Sequence, residues 1–138
     1  MVVPPPRPGL VVHFSYLWRH ERDQGEETGR KDRPALILAA GVKDGVPRAY
    51  LLPITHAEPA AGRGIPIPAT VKEHLGLDAA PSWIIVDDIN VTRWPGFDLR
   101  PRPDAPGRFD YGEIPARLFE QVKAAVRGLR PAPKPTPR

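Results

Sequence analysis

Two short apolar runs in the first half of the chain constrain its fold more than any other feature. These runs, residues 34–39 and 50–55, are rich in aliphatic side chains, and the segment 41–47 between them contains Gly, Asp and Pro. Runs of this length bounded by turn residues predict β-strands, and their close spacing predicts an antiparallel pair or a β-hairpin. We therefore expect the core to be built around a β-sheet.

Basic and polar side chains occur at one end of this predicted strand pair. Arg30, Lys31 and Arg33 lead into the first strand, and Thr55 and His56 close the second. Since the start of one antiparallel strand lies beside the end of the next, Arg33 and Thr55 are expected at the same edge of the sheet. A guanidinium beside a hydroxyl offers the hydrogen-bond donors that bind a phosphate group.

The rest of the chain predicts a small α+β domain. Further strands are expected at residues 9–18, 65–68, 82–87 and 89–94, a short helix at 70–76 and a longer amphipathic helix at 115–127. Residues 19–33 are almost all charged or Gly and predict a long solvated loop. No alternation of strands and helices typical of a parallel sheet occurs. The expected fold is therefore a small SH3-like antiparallel barrel, mainly β, with a C-terminal helix.

Proline-rich segments flank this predicted domain. Many of the 20 prolines lie in residues 1–8 and 130–138. Such composition predicts a flexible N-terminus and a basic, disordered C-terminal tail. The expected organisation is thus one barrel domain, residues 9–129, between two flexible ends.

Charge and composition limit the classes of function. The net charge of +4 arises from the last twelve residues, because four of the 20 basic residues lie there and the other 16 balance the 16 acidic residues. Anion binding by the domain would therefore need a local cluster of basic residues rather than a general positive field. The absence of cysteine, of a signal peptide and of a long apolar run favours a cytoplasmic protein with no membrane association.

Each candidate residue also has an ordinary structural explanation. Asp87 follows a predicted buried strand, where a carboxylate can serve as a general base or simply favour a turn. Arg93 beside Trp94 resembles a cation next to a stacking platform for single-stranded nucleic acid, although a lone tryptophan more often belongs to a core or a dimer contact. His56 can carry a proton near neutral pH, but it shares a site with Thr55 only if the strand has ended there.

No metal site or cofactor is expected from the sequence. His13, His20 and His74 have no acidic or histidine partner at metal-ligand spacing. The chain also lacks a glycine loop that would surround a phosphate and a nucleophile elbow.

In their order, these segments resemble the PemK/MazF family, the toxins of type II toxin–antitoxin modules. The similarity covers about residues 9–127 and depends on Gly-Leu-Val-Val at 9–12, Arg-Pro-Ala-Leu-Ile-Leu at 33–38, Leu-Leu-Pro-Ile-Thr at 51–55 and Val-Asp-Asp-Ile at 86–89. The resemblance implies an SH3-like barrel that forms a homodimer. It also implies a metal-independent endoribonuclease acting on single-stranded RNA such as mRNA, and a cognate antitoxin that occupies the RNA groove.

Site roles follow from the same resemblance. In the family reaction the ribose 2′-OH attacks the adjacent phosphate, leaving a 2′,3′-cyclic phosphate and a 5′-OH. By motif position the family's arginine corresponds to Arg33, its threonine to Thr55, and the carboxylate of some members to Asp87. His56 is a supporting catalytic candidate. The residues expected to bind RNA are Arg30, Lys31, Arg93 and Trp94.

Two departures from the family pattern leave an alternative open. Ile85 stands two residues before Asp87, where members with that carboxylate carry an arginine, and the first loop is unusually acidic. The alternative is a non-catalytic SH3-like-barrel binding module, a degenerate toxin that binds nucleic acid or a protein partner.

Overall fold

The computed structural model describes residues 2–25 and 31–138, in which eight strands form a mainly antiparallel sheet. The strands are β1 (Leu10–Ser15), β2 (Asp32–Lys43), β3 (Val46–Thr55), β4 (Gly64–Pro66), β5 (Trp83–Ile85), β6 (Asn90–Arg93), β7 (Asp110–Glu113) and β8 (Thr136–Pro137). The helices are α1 (Arg19–Asp23), α2 (Ala69–Leu75) and α3 (Ala116–Gly128). The strand order is β4-β5-β3-β2-β1-β7, while β6 pairs with β3 and with β8. This open sheet with a C-terminal helix confirms the predicted α+β class and is compatible with a small barrel-like fold.

The predicted antiparallel pair is confirmed as the hairpin of β2 and β3, which lies at the centre of the sheet. Its turn contains Asp44 and Gly45, both with positive φ (53° and 76°), which is the backbone that an Asp-Gly hairpin turn requires. The antiparallel register places Ala35 opposite Pro53. Arg33, two residues before Ala35, and Thr55, two residues after Pro53, therefore lie at the same end of the strand pair.

Apolar side chains cover both faces of the sheet. On one face, residues of the sheet pack against buried side chains of α2 and α3, which include Leu75 and Leu118. On the other face, alternate residues of the same strands pack around Phe14, Tyr16 and Trp94. Leu10, Val12 and Phe14 of β1 belong to this second cluster and Val11 to the first, and all six residues of the strand are buried.

The segment predicted as one solvated loop begins with a helix instead. Residues 19–23 form α1, in which Glu21 is only 3% exposed. Its Oε1 accepts a hydrogen bond from the Trp18 backbone N–H at 3.0 Å, and this bond stabilises the start of the helix. The prediction of a loop is wrong for these residues. Residues 26–30, which include the candidate Arg30, lie outside the described part of the chain.

The C-terminal tail was expected to be disordered, and this prediction is wrong. Within it, β8 pairs in parallel with β6, and the Arg138 side chain is 1% exposed. The Arg138 guanidinium donates hydrogen bonds to the Ser15 carbonyl, to Asn90 Oδ1 at 3.1 Å and to Asp98 Oδ1 at 2.9 Å. The tail is ordered because its last arginine satisfies polar acceptors at the edge of the core.

Contacts also order the N-terminal segment, which was predicted to be flexible. The Trp94 indole N–H donates to the Pro4 carbonyl at 2.9 Å, and Arg7 forms an ion pair with Glu113 on β7 at 2.8 Å. Strand β7 itself was missed, because it is short and contains Gly112 with a positive φ of 104°. None of the described helices has the length and apolar character needed to cross a membrane.

Candidate functional site

A cavity of about 400 Å³ opens where β2 begins and β3 ends. It is lined from β2 by Arg33, from the end of β3 by Thr55, and from the following residue by His56. Lys31 and Asp78 also line it. The sequence-based expectation that Arg33 and Thr55 meet at one edge of the sheet is confirmed.

Arg33 is held in this cavity by an aromatic ring. Its guanidinium carbon lies 5.0 Å from the centroid of the Trp18 ring, a cation–π geometry. Among the described residues, the Arg33 side chain has no hydrogen-bond or ion-pair partner, and its Nε is buried. Burial lowers the pKa of Arg33, while the nearby Glu21 and Tyr16 act in the opposite direction. The cavity therefore contains a guanidinium that no described carboxylate neutralises by direct contact.

Thr55 presents a hydroxyl group to the same cavity. Its Oγ1 accepts a hydrogen bond from the backbone N–H of Ala57 at 3.1 Å. A hydroxyl that accepts one hydrogen bond still has its own hydrogen to donate. The Thr55 hydroxyl can therefore donate to an anionic oxygen in the cavity.

His56 lies at the same site because the strand has ended. Strand β3 stops at Thr55, so the alternation of side chains along a strand no longer separates the two residues. The His56 Nε2 lies 2.9 Å from Asp78 Oδ2 and 3.1 Å from Asp78 Oδ1. The pKa of Asp78 is lowered, first by a hydrogen bond from the Lys72 ammonium and then by His56.

Neither Asp78 nor Lys72 was identified from the sequence. Lys72 lies in α2 between the buried residues Val71 and Leu75, and it is itself only 4% exposed. Its Nζ donates to Asp78 Oδ1 at 2.9 Å, to Ser82 Oγ at 2.7 Å and to the Ala80 carbonyl. The sequence feature that could have identified Lys72 is its position beside the apolar residues of a short helix. A lysine that is buried in this way requires polar partners.

Asp87 was expected beside Arg33 and Thr55, but it lies in a different place. It lines a separate cleft of about 490 Å³ together with Trp18 and Arg63. Its carboxylate forms an ion pair with Arg63 Nη1 at 3.4 Å. The next residue, Asp88, accepts hydrogen bonds from the Tyr16 hydroxyl and the Arg19 N–H, and burial raises the pKa of its carboxyl group. The structure therefore does not bring Asp87 into the cavity.

Of the four residues predicted to bind RNA, the three that the structure describes do not share one surface. Lys31 is exposed and lines the cavity, whereas Arg93 is exposed on β6, opposite Arg48, and does not line it. Trp94 is 8% exposed and packs in the core, so its assignment as a stacking platform is wrong. An apolar ring beside several buried strands gains more from burial than from exposure. Arg30 belongs to the residues that are not described.

The remaining described histidines and acids were also searched for a metal site. Within residues 2–25 and 31–138, no group of three or more potential ligands lies close enough to hold a metal ion. The predicted strand histidine, His13, is 9% exposed and its Nδ1 forms a hydrogen bond with the Tyr111 hydroxyl at 2.9 Å. Burial lowers the pKa of this imidazole.

Comparison of the chain with protein-family models, with curated proteins and with solved structures gives no match. The chemistry of the cavity and the order of the sequence motifs are therefore the basis for inferring a function.

Proposed function

We propose that this chain is a metal-independent endoribonuclease, the toxin of a type II toxin–antitoxin module, and that it cleaves single-stranded RNA. The observation that carries the proposal is the meeting of Arg33 and Thr55 in one open cavity. The Arg33 guanidinium there has no anionic partner in direct contact among the described residues, and the Thr55 hydroxyl has a hydrogen to donate. Both groups are suited to bind the phosphate that is attacked.

The proposed reaction uses the RNA's own nucleophile. The ribose 2′-OH attacks the adjacent phosphorus, the bond to the 5′-oxygen breaks, and the products carry a 2′,3′-cyclic phosphate and a 5′-OH. Negative charge builds up on the phosphorane oxygens, where a fixed cation and a hydroxyl donor are most effective. Arg33 supplies the cation and Thr55 the donor. Arg33 does not act as a base, because a guanidinium stays charged at working pH.

Partners and assembly follow from the resemblance to the PemK/MazF family. We infer that the chain acts as a homodimer in the cytoplasm, where mRNA is available. A cognate antitoxin would block cleavage by occupying the RNA groove. An exposed cation, Lys31, lines the same cavity and supports binding of an extended polyanion.

The decisive experiment is incubation of the purified chain with a long single-stranded RNA in the presence of EDTA. Arg33→Ala is the test variant, and Arg117→Ala, which removes an exposed arginine of α3, is the matched control. We expect cuts at a short recurring sequence with 2′,3′-cyclic phosphate ends, unchanged in the control and absent in Arg33→Ala. Retained cleavage by a folded Arg33→Ala protein would overturn the assignment of Arg33.

A non-catalytic binding module is the second candidate, and one observation favours it. Asp87, the carboxylate that some family members use, is paired with Arg63 in another cleft. On this alternative the cavity binds nucleic acid or a partner protein without chemistry. Fluorescence anisotropy with a labelled RNA, followed by gel analysis of the same RNA, distinguishes the candidates. A nucleic-acid-binding module would bind the RNA through Arg33 and leave it intact, whereas the ribonuclease would shorten it.

A further inference from the structure

The cavity contains an imidazole paired with a carboxylate, beside the two groups assigned to the phosphate. His56 Nε2 lies 2.9 Å and 3.1 Å from the two carboxylate oxygens of Asp78. Both side chains line the cavity with Arg33 and Thr55. Because both carboxylate oxygens of Asp78 contact the same ring nitrogen, the orientation of the His56 imidazole is restrained.

The carboxylate of this pair is itself held in place. Lys72 Nζ donates to Asp78 Oδ1 at 2.9 Å, and the backbone N–H of Ala80 donates to the same oxygen at 3.1 Å. Lys72 is nearly fully buried and is further fixed by Ser82 Oγ at 2.7 Å. The hydrogen bond from Lys72, followed by that from His56, favours the ionised carboxylate and lowers the pKa of Asp78.

The ionised state of Asp78 decides which imidazole nitrogen carries the proton. An ionised carboxylate only accepts hydrogen bonds, so neutral His56 must have its proton on Nε2. The Nδ1 atom then keeps its lone pair, and no described residue forms a hydrogen bond with it. His56 is therefore prepared to accept a proton at Nδ1.

We propose that His56 is the general base of the proposed ribonuclease and that Asp78 is its positioning residue. This inference depends on the proposed function. His56 Nδ1 takes the proton of the 2′-OH as the bond from the 2′-oxygen to phosphorus forms. The bond from phosphorus to the 5′-oxygen breaks, this oxygen takes a proton from water, and the imidazolium returns its proton to solvent, so that protons and charge balance.

The assignment replaces Asp87, which lies in the other cleft, by a base in the same cavity as Arg33. Charged groups on two sides face His56. Asp32 and Arg33 come from the start of β2, Lys31 precedes that strand, and the pair of Lys72 and Asp78 comes from α2 and the loop after it.

The first measurement is nitrogen NMR of the full chain labelled at histidine, with His56→Gln used to assign the signal. We expect wild-type His56 to carry its proton on Nε2. In Asp78→Asn this preference should disappear, because an amide can donate as well as accept. A proton on Nδ1 in the wild type, or the same tautomer in both proteins, would overturn the dyad without reference to catalysis.

The second measurement is the single-turnover rate of RNA cleavage as a function of pH. His56→Gln should lose about 100-fold, within the range for a general base. The cleavage rate of Asp78→Asn should be about tenfold lower than that of the wild type. Loss of a carboxylate that orients a metal-binding histidine has an effect of similar size in other proteins. This loss of rate should accompany the loss of the Nε2 tautomer in the same folded variant, which a merely structural role of Asp78 would not produce.

Two matched substitutions outside the cavity serve as controls. His74→Gln and Glu120→Gln change exposed residues of α2 and α3 and should leave the rate and the profile unchanged. Circular dichroism checks that each variant is folded. We expect His56→Gln to fold, because the His56 side chain is 60% exposed. Wild-type activity in His56→Gln would overturn this inference alone. A folded wild type that cleaves no RNA would overturn the proposed function and, with it, the role of the base.

Discussion

Trp18 lies beneath Arg33, with 5.0 Å between the guanidinium carbon and the centroid of the ring. The indole is itself supported by Tyr16, whose ring meets it edge to face at 5.6 Å. Since Arg33 is opposite Phe14 in the register of β1 and β2, the guanidinium extends from the sheet onto the aromatic residues that follow β1. A stacked guanidinium is restrained by its face while the donors on its edge stay available for a phosphate.

Replacing Trp18 should therefore weaken cleavage through Arg33. A cation–π contact contributes about 0.5–2 kcal/mol, so Trp18→Leu should reduce the single-turnover rate about 2- to 30-fold. Trp18→Phe keeps an aromatic face, so its single-turnover rate should fall by less. Equal rates in the Leu and Phe variants, both folded by circular dichroism, would show that stacking does not position Arg33.

The Thr55 hydroxyl should matter for rate and little for folding. Thr55→Val keeps the β-branched shape but removes the donor to the phosphorane, and loss of one such donor costs about 100- to 1000-fold in rate. Thr55→Ser keeps the hydroxyl and should stay close to wild type. Single-turnover kinetics on one RNA measure both variants. A Val variant as active as the Ser variant would contradict the assigned role.

Asp78 should make stability depend on pH in the acidic range. Because the pKa of Asp78 is lower in the folded chain, its carboxylate stabilises the fold above the unfolded pKa of about 3.9, and this contribution is lost as the pH falls. The side chain is 56% exposed, so we expect Asp78→Asn to cost only about 0.5–1 kcal/mol at pH 7.

Urea unfolding at several pH values measures this effect. The difference between wild type and Asp78→Asn should shrink as the pH falls through the lowered pKa. Glu58→Gln, which changes an exposed carboxylate with no hydrogen-bond partner among the described residues, is the control. A difference that stays constant down to pH 2 would exclude ionisation of Asp78 as its origin.

The order of the C-terminal tail should depend on Arg138. Arg138→Ala leaves the Ser15 carbonyl, Asn90 Oδ1 and Asp98 Oδ1 without their donor. Loss of hydrogen bonds from a buried charged group should lower the free energy of unfolding by about 2–3 kcal/mol. Arg130→Ala removes an exposed arginine of the same tail and should change the free energy of unfolding by less than about 0.5 kcal/mol. Similar urea midpoints for the two variants would contradict the conclusion that Arg138 holds the tail against the core.

Much of the fold could be predicted because its signals are local. The apolar runs, the Asp44-Gly45 turn and the stripe of α3 each act over a few residues, and α3 lies within one residue of its predicted bounds. The meeting of Arg33 and Thr55 was predictable for a related reason. Antiparallel pairing places the first residue of one strand beside the last residue of the next, whatever the rest of the chain does.

Only the tertiary structure decided which groups join these two residues. His56 meets Asp78 because α2 and the loop after it pack against the end of β3, and Trp18 meets Arg33 because β1 pairs with β2. The same packing buries Trp94, places Asp87 in another cleft and orders the tail through Arg138. Such contacts join residues that are distant in sequence, and they form only when apolar burial brings whole elements together. The sequence alone therefore determined the strand pair and the edge at which Arg33 and Thr55 meet, whereas long-range packing determined the paired histidine, the stacked arginine and the excluded carboxylate.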